Sequence, residues 1–349
     1  MALGTNHIDN TGAVGGSEGF IPEIWEDEVV AQYKANLVVA NLVSKIARNG
    51  KKGDTIYLPR ITDRKTAVPT AKAEDTQVTL VPAAAGEVTV RIDKHYEFSF
   101  LYEDLTALQA LDSLRRHYTD HAGYALARQV DRDVIATFEN MQGGTNFTGA
   151  VIGSDGSTAW DGTANTNAGN AAALTDAGIR KIIQTLDDED NPMSDRHLVI
   201  PPVERNNIMG LARFTEQAFV GEGGMGNTIR NGTIGQLYGI NVAISTNLPY
   251  IHIDTADGDD VFLWTSTAMG TGNVSSITGE TVAVGTDGGV VGRIALMFHR
   301  DAVVHAEQQS IRTQTQYKQE YLGDLFTADC VYGVAEKRDY AAVPIAVAN

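Results

Sequence analysis

The sequence predicts an α+β fold, and three observations carry the prediction. The stretch from Leu101 to Asn140 holds an apolar stripe at helical spacing and contains no proline. Over residues 53–100 the apolar period drops to two, and strand patterns dominate again from Gly292 onward. Helical and extended stretches mix without the regular alternation that builds a parallel sheet. At 349 residues the chain buries a real core, as one large domain or two to three smaller ones.

Residues 1–19 are small, polar and glycine-rich, an arm expected to order only against something else. Pro22 opens a helical pattern with Glu23, Glu26, Asp27 and Glu28 in its first turns, where the helix dipole favours negative charge. Ile24, Val29, Tyr33, Leu37 and Ala40 make its loose stripe, and Asn49-Gly50 is expected to close it. Thr55–Pro59 and Glu87–Asp93 read as strands, the second with Val88, Val90 and Ile92 on one face and Glu97–Phe100 continuing it. Between them, 61–86 has few large apolar groups. It reads as a long two-stranded excursion that cannot bury its own faces, and isolated hairpins are marginal in water.

In the long helix the stripe runs through Leu101, Leu105, Leu108, Leu111, Leu114, Tyr118, Ala122, Leu126, Val130, Val134 and Phe138, with charges expected on the opposite face. Asp112 is a cap-type residue, so a short helix ending near Ala110 and a longer one from Asp112 to Asn140 are expected, the latter about 43 Å long. Gly143-Gly144 is expected to stop it. A low-complexity span, 143–173, follows. Leu174–Leu186 then reads as a helix, His197–Ile200 as a buried strand, Pro201-Pro202 as a turn, and Val203–Leu211 as a short helix. Gly221–Gly232 is a glycine-rich loop. Gly239–Ile244 and Val261–Trp264 are expected strands divided by Leu248–Asp260, and 293–298, 302–306, 310–317 and 327–334 complete the strand set.

The formal net charge of −17 speaks against a dedicated nucleic-acid binder, because phosphate affinity comes from Lys and Arg. Its distribution is uneven. Lys51, Lys52, Arg60, Arg64, Lys65 and Lys72 crowd one stretch, whereas 231–292 holds no Lys or Arg before Gly292 and carries Asp254, Asp257, Asp259, Asp260, Glu280 and Asp287. Copies docking basic loop to acidic surface would use that asymmetry; an uneven solvated surface is the plainer reading. Cys330, the single cysteine, allows no intrachain disulfide and points to folding in the cytoplasm. No secretory signal and no apolar run of membrane-spanning length occur, so no membrane partner is expected.

No catalytic constellation stands out, and neither an enzyme activity, a cofactor nor a metal is expected. Gly221-Glu222-Gly223-Gly224-Met225-Gly226 matches the dinucleotide pattern literally, but no helical pattern follows and Thr246 stands where an acidic residue is needed. The aspartates 254–260 miss the calcium-loop order and read as a solvated turn. His117 and His121 lack the zinc-protease glutamate, Tyr118 standing between them, and fit aromatic packing on the helix. Cys330 sits in an apolar strand, where a thiol is inert.

Several phrases, in this order, resemble one family: Phe20-Ile21-Pro22-Glu23-Ile24-Trp25, Gly53-Asp54-Thr55-Ile56-Tyr57-Leu58-Pro59, Ala125-Leu126-Ala127-Arg128-Gln129-Val130-Asp131, Gly232–Ile240, and Gln319-Glu320-Tyr321-Leu322-Gly323-Asp324-Leu325 followed by Tyr332-Gly333-Val334. The chain resembles the major capsid proteins of tailed double-stranded-DNA bacteriophages, with the Hong Kong 97-like capsid fold. The resemblance implies an N-terminal arm and helix (1–50), an extended β-loop (51–100), a peripheral domain with a spine helix (101–169), an axial domain (170–298) and return strands of the peripheral domain (299–349). It implies self-assembly into hexamers and pentamers of an icosahedral virion head, assembled in the host cytoplasm and enclosing double-stranded DNA without sequence-specific binding. The further partners implied are a portal, a cement protein and a scaffolding protein, the last separate because the chain opens directly on the arm. Trp25, Arg60, Arg64, Lys65, Lys72, Glu74, Asp75, Glu222 and Arg230 are the expected inter-subunit contacts. Some relatives crosslink Lys to Asn; Lys65 or Lys72 would be the lysines here, with ordinary ion pairing the plainer role. An encapsulin-like protein compartment of the same fold is the alternative, and a soluble nucleotide- or ligand-binding enzyme using the Gly221–Gly232 loop is the competing class.

Overall fold

The computed structural model describes residues 37–48, 53–61, 71–75, 77–78, 85–103, 113–139, 141, 151–156, 172–211, 236–253, 260–264, 272–275, 281–284 and 292–347. Its organising element is the helix Ser113–Thr137, α2. Ala122, Leu126, Val134 and Phe138 of the expected stripe are buried, and Val130 packs beside them. The helix stops at Thr137, ahead of Gly143, with Thr137 Oγ1 bonded back to the Asp133 carbonyl. Upstream, Leu101 belongs to a strand, Lys94–Glu103, rather than to a short helix. Of the first expected helix, residues 22–36 lie outside the described residues; of those described, Val39–Leu42 (α1) is helical, and Ser44–Ala47 (β1) turns away as a strand because it pairs in parallel with 304–307, a partner the local pattern does not contain.

Two sheets flank α2. The first has four strands in the order β1, β14 (Val303–Lys318), β15 (Gly323–Glu336) and β4 (Lys94–Glu103), all antiparallel except β1 with β14. The two strands expected at 302–306 and 310–317 are one continuous β14, carried past residues 307–312 by two register shifts. One face of this sheet packs Phe326, Ala328, Cys330 and Tyr332 on Ala122 and Leu126 of α2. The other face receives a ribbon of β2 (Thr55–Ile61) and β3 (Ala85–Arg91), whose Ile56 and Val90, with Ile92, bury against Val304 and Ala306. Val88 is half-buried on the same side. Glu97–Phe100 therefore does not extend the second ribbon strand; the chain breaks at 92–93 and joins the other sheet.

The second sheet has eight strands. Its core is β13 (Gly292–His299), flanked by β6 (Arg196–Ile200) and β9 (Tyr250–Ile253) along one edge and β16 (Ala342–Val347) along the other. The remaining strands are β5 (Ile152–Gly153), β7 (Gln236–Leu237), β8 (Ile240–Ile244) and β10 (Asp260–Leu263). A separate hairpin pairs β11 (Gly272–Ser275) with β12 (Thr281–Val284). Both faces of β13 are buried: Ile294, Leu296 and Phe298 meet Val134, Ile135 and Phe138 of α2, while Ala295 and Met297 meet Ile179, Ile182 and Leu186 of α3 (Asp176–Asp188). Burying one such side chain contributes about 1.5–3 kcal/mol. Thr175 caps α3 by accepting from Gly178 N–H at 3.1 Å, and Pro202 begins α4 (Pro202–Met209) at its first helical position, so the expected turn there is the helix start.

Besides β1, the strands β5, β7, β9, β11, β12 and β16 arise where no strand is expected, and β16 carries Pro344. Fully buried apolar runs lack the alternation that marks a half-buried strand. Because β5 and β16 pair into this sheet, it draws on residues outside 170–298.

Candidate assembly surfaces

What fixes α2 in place is polar, and it corrects the expectation that its charges face solvent. Asp131 and Asp133 are buried. Asp131 accepts from Ala40 N–H and from Asn247 Nδ2, both at 2.9 Å, so one carboxylate ties α1, α2 and the loop before β9. Burial pushes its carboxyl above the ordinary range despite those bonds. Arg132 lies 5.3 Å over the Trp264 ring, its guanidinium brought down to about 10 by burial, and Trp264 Nε1 donates to the Asn247 carbonyl at 2.7 Å. Asp133 accepts from Tyr332 Oη at 2.7 Å and Gln129 Nε2 at 2.9 Å, with Lys94 Nζ 3.4 Å away. Burial, with that carboxylate beside it, pushes the Tyr332 phenol up. These bonds tie α2 to β15 on one side and to the loop before β9 on the other.

Three surfaces stand out. The ribbon β2–β3 leads into residues 71–75 and 77–78, all of them exposed, including Val78. Its base is anchored tightly, since Gly333 of β15 lies so close that a Cβ there would sit 2.0 Å from the Arg91 carbonyl oxygen. A second surface is the outer part of β14–β15. Beyond the ribbon it presents Arg312, Gln314, Thr327 and Asp329 in cross-strand register. Arg312 holds Asp329 with two bonds of 2.8 and 3.0 Å, Gln309 donates at 2.8 Å and His95 lies 3.2 Å away. These partners, rather than depth in the fold, cover the carboxylate, and Arg312 first among them draws it down to about 2. The connecting turn exposes Tyr321 and Leu322 at 63% and 65%. The third surface is a cavity of about 220 Å³ where α1, α2, β14 and β15 meet.

Of the expected inter-subunit contacts, Arg60, Lys72, Glu74 and Asp75 stand exposed on or beyond the ribbon, Asp75 in a left-handed turn with φ 59°. Arg60 is near enough to Glu336 to counter in part the rise that burial imposes on that carboxyl. Trp25, Arg64, Lys65, Glu222 and Arg230 lie outside the described residues, as do the Gly221–Gly232 loop and Asp254, Asp257 and Asp259. Tyr321, Leu322, Ile311 and the cavity are features that sequence reading missed. The polar run from Gln308 to Gln316 was their only signal, marking a strand with no apolar face to bury.

Among the described residues, no group of three or more His, Cys, Asp or Glu converges as a metal site, and no helix is long and apolar enough to cross a membrane. Cys330 is buried and its thiol is pushed up to about 11 by desolvation. His121 packs 5.8 Å from the Phe98 ring.

Comparison with known proteins gives one consistent result. The family model described as phage capsid protein matches residues 86–345. No curated protein sequence matches the chain. Among solved structures, Mycobacterium phage Che8 is similar at 22% identity with a TM-score of 0.62, over 94% of this chain and 97% of that one. The capsid of cyanophage P-SCSP1u is similar at 19% identity and a TM-score of 0.66, over 98% and 97%. The head of Helicobacter pylori bacteriophage KHP40 gives 11% and 0.62, over 97% and 99%. At such identities the structural likeness establishes the fold, which is the Hong Kong 97-like one that the sequence resembles.

Proposed function

The chain belongs to the phage capsid protein family and is a major coat protein of an icosahedral phage head, and from that premise we propose that its copies join first into hexamers and pentamers. In this reading residues 1–50 are the arm and its helix, and 51–100 the extended loop laid on a neighbouring copy. Residues 101–169 with the return strands of 299–349 form the peripheral domain carrying the spine helix, and 170–298 the axial domain that meets its neighbours around each capsomer axis. Lys72, Glu74 and Asp75, together with Arg60 and the contacts expected at Trp25, Arg64, Lys65, Glu222 and Arg230, serve as inter-subunit contacts.

One observation supports this most. The β2–β3 ribbon is rooted by Ile56, Val90 and Ile92, yet every described residue between 71 and 78 is exposed, so the limb is held out from a body it does not cover. A second copy offers the missing surface, and many weak repeated contacts become strong through multivalency. The shell encloses double-stranded DNA without reading its sequence, which suits a net charge of −17. A separate scaffold, a portal and a cement protein complete the head, and assembly takes place in the host cytoplasm.

Replacing residues 62–84 with a short turn tests the reading. Folded subunits with the parent's unfolding midpoint that no longer sediment as shells are expected. Shells of normal size and yield from the shortened chain would refute it.

A further inference from the structure

The cavity of about 220 Å³ is lined by Leu37, Ala40, Ala127, Val130, Ile311 and Tyr332, with Lys45 and Glu307 among its polar residues. It is smaller than the roughly 300–1,000 Å³ of sites that take cofactors or drug-sized ligands, and has room for one large side chain. Inside it sits His305, 7% exposed, its ring 5.5 Å from that of Tyr332. Among the described residues neither ring nitrogen of His305 has a hydrogen-bond partner. Burying an unsatisfied donor or acceptor is costly. A neutral imidazole has one N–H to give and one lone pair to fill, and a hydroxyl satisfies either role. The cavity therefore calls for an apolar body with a hydroxyl tip, which is tyrosine.

The same chain presents such a group on a convex tip. Tyr321 and Leu322 are among its most exposed large side chains, and Leu322 adopts φ 46°, a left-handed conformation unfavourable for leucine. Strain of this kind combined with apolar exposure marks a side chain that meets something. The other exposed tyrosines are less suited. Tyr118 lies against Phe100, Tyr238 bonds Asp176, and Tyr57 and Tyr317 sit within paired strands opposite Thr89 and Asp324. The tip cannot serve its own cavity, because the seven residue steps from Ile311 to Lys318 extend about 23 Å along β14. Charges agree as well: Lys318 and Glu320 flank the tip, and Glu307 and Lys45 stand at the cavity. Two residues, Ser310 and Ile311, oppose Cys330 between the pairs Gln309–Val331 and Arg312–Asp329, a bulge that brings Ile311 to the cavity.

We infer that the cavity beside His305 is a socket that receives Tyr321 from the β14–β15 turn of a second copy, Leu322 covering its mouth. Tip and socket are different patches, so the contact is head-to-tail and closes into rings when the rotation allows. This rests on the coat-protein reading and adds to it the identity of one contact.

The test places cysteines at Ile311→Cys and Leu322→Cys, leaving Tyr321 in place, in a Cys330→Ser chain and oxidises the assembled particles. A ladder of covalent multimers longer than dimers is expected, absent from either single-cysteine chain. Tyr321→Phe should raise the concentration needed for assembly about tenfold while leaving the unfolding midpoint of the free subunit unchanged. Particles that form without a ladder, a ladder that stops at dimers, or Tyr321→Ala assembling at the parent's threshold would each overturn the socket and leave the coat-protein reading standing. A parent chain that forms no particles would overturn both.

Discussion

Gly333→Ala is the smallest change expected to disturb both the stability of the subunit and its assembly. At most positions with negative φ this substitution stabilises by about 0.4–1 kcal/mol, because alanine restricts the unfolded chain. Here the new Cβ would lie 2.0 Å from the Arg91 carbonyl oxygen, 2.8 Å from its carbon and 3.1 Å from Ile92 Cα. All three are backbone atoms, so no rotamer change relieves the overlap. Ordinary contact begins near 3.4 Å, which requires β3 and β15 to part by 3.4 − 2.0, or about 1.4 Å. Overpacking of this kind costs about 1–3 kcal/mol, and a backbone clash belongs at the upper end, well beyond the entropic gain. The displacement falls at the root of the ribbon, where Ile92 N–H bonds the Asp54 carbonyl at 2.7 Å, so the whole extended loop is re-aimed. Urea unfolding of the unassembled subunit should show a loss of about 2–3 kcal/mol, and sedimentation should show fewer shells. A variant as stable as its parent that assembles normally would refute the argument that β15 holds the ribbon by backbone contact.

Removing the hydroxyl in Tyr332→Phe strips the buried Asp133 of its 2.7 Å donor and should cost about 1.5–3 kcal/mol in urea unfolding, with no change in the apolar packing on α2. The Arg312–Asp329 clasp should show in the pH dependence of stability. Its carboxyl is drawn down to about 2 from an ordinary value of 3.8, so the contribution is whole above pH 4 and is lost as pH falls through 2. Screening by solvent keeps its worth small. Asp329→Asn should therefore lower stability slightly at pH 7 and flatten the profile between pH 4 and 2; an unchanged profile would rule the clasp out.

Local pattern made much of this fold legible. The stripe from Ala122 to Phe138 lies on one helix because step sizes of three and four leave no other regular solution. The alternation of Val88, Val90 and Ile92 likewise placed a ribbon face correctly. The pattern failed where a remote partner decides the conformation. Residues 44–47 continue a helical stripe on paper, yet they pair with 304–307. The run Ala342–Val347 has apolar groups on both faces, so period alone does not separate strand from helix, and Pro344 argues against either.

By itself, then, the amino-acid order settled that a long strut exists, that the excursion before it leaves the body with little to bury, and that charge is segregated along the chain. Those properties belong to near neighbours and to counts of side chains. The tertiary arrangement decided which carboxylates are internal, since Asp131 and Asp133 look like any exposed helix charge until Asn247 and Tyr332 are brought to them across more than a hundred residues. It also decided that the buried ring nitrogens of His305 meet no hydrogen-bond partner among the described residues while Tyr321 stands out in water. Hydrogen bonds act within about 3 Å in space whatever the separation in sequence, so no periodicity foretells them.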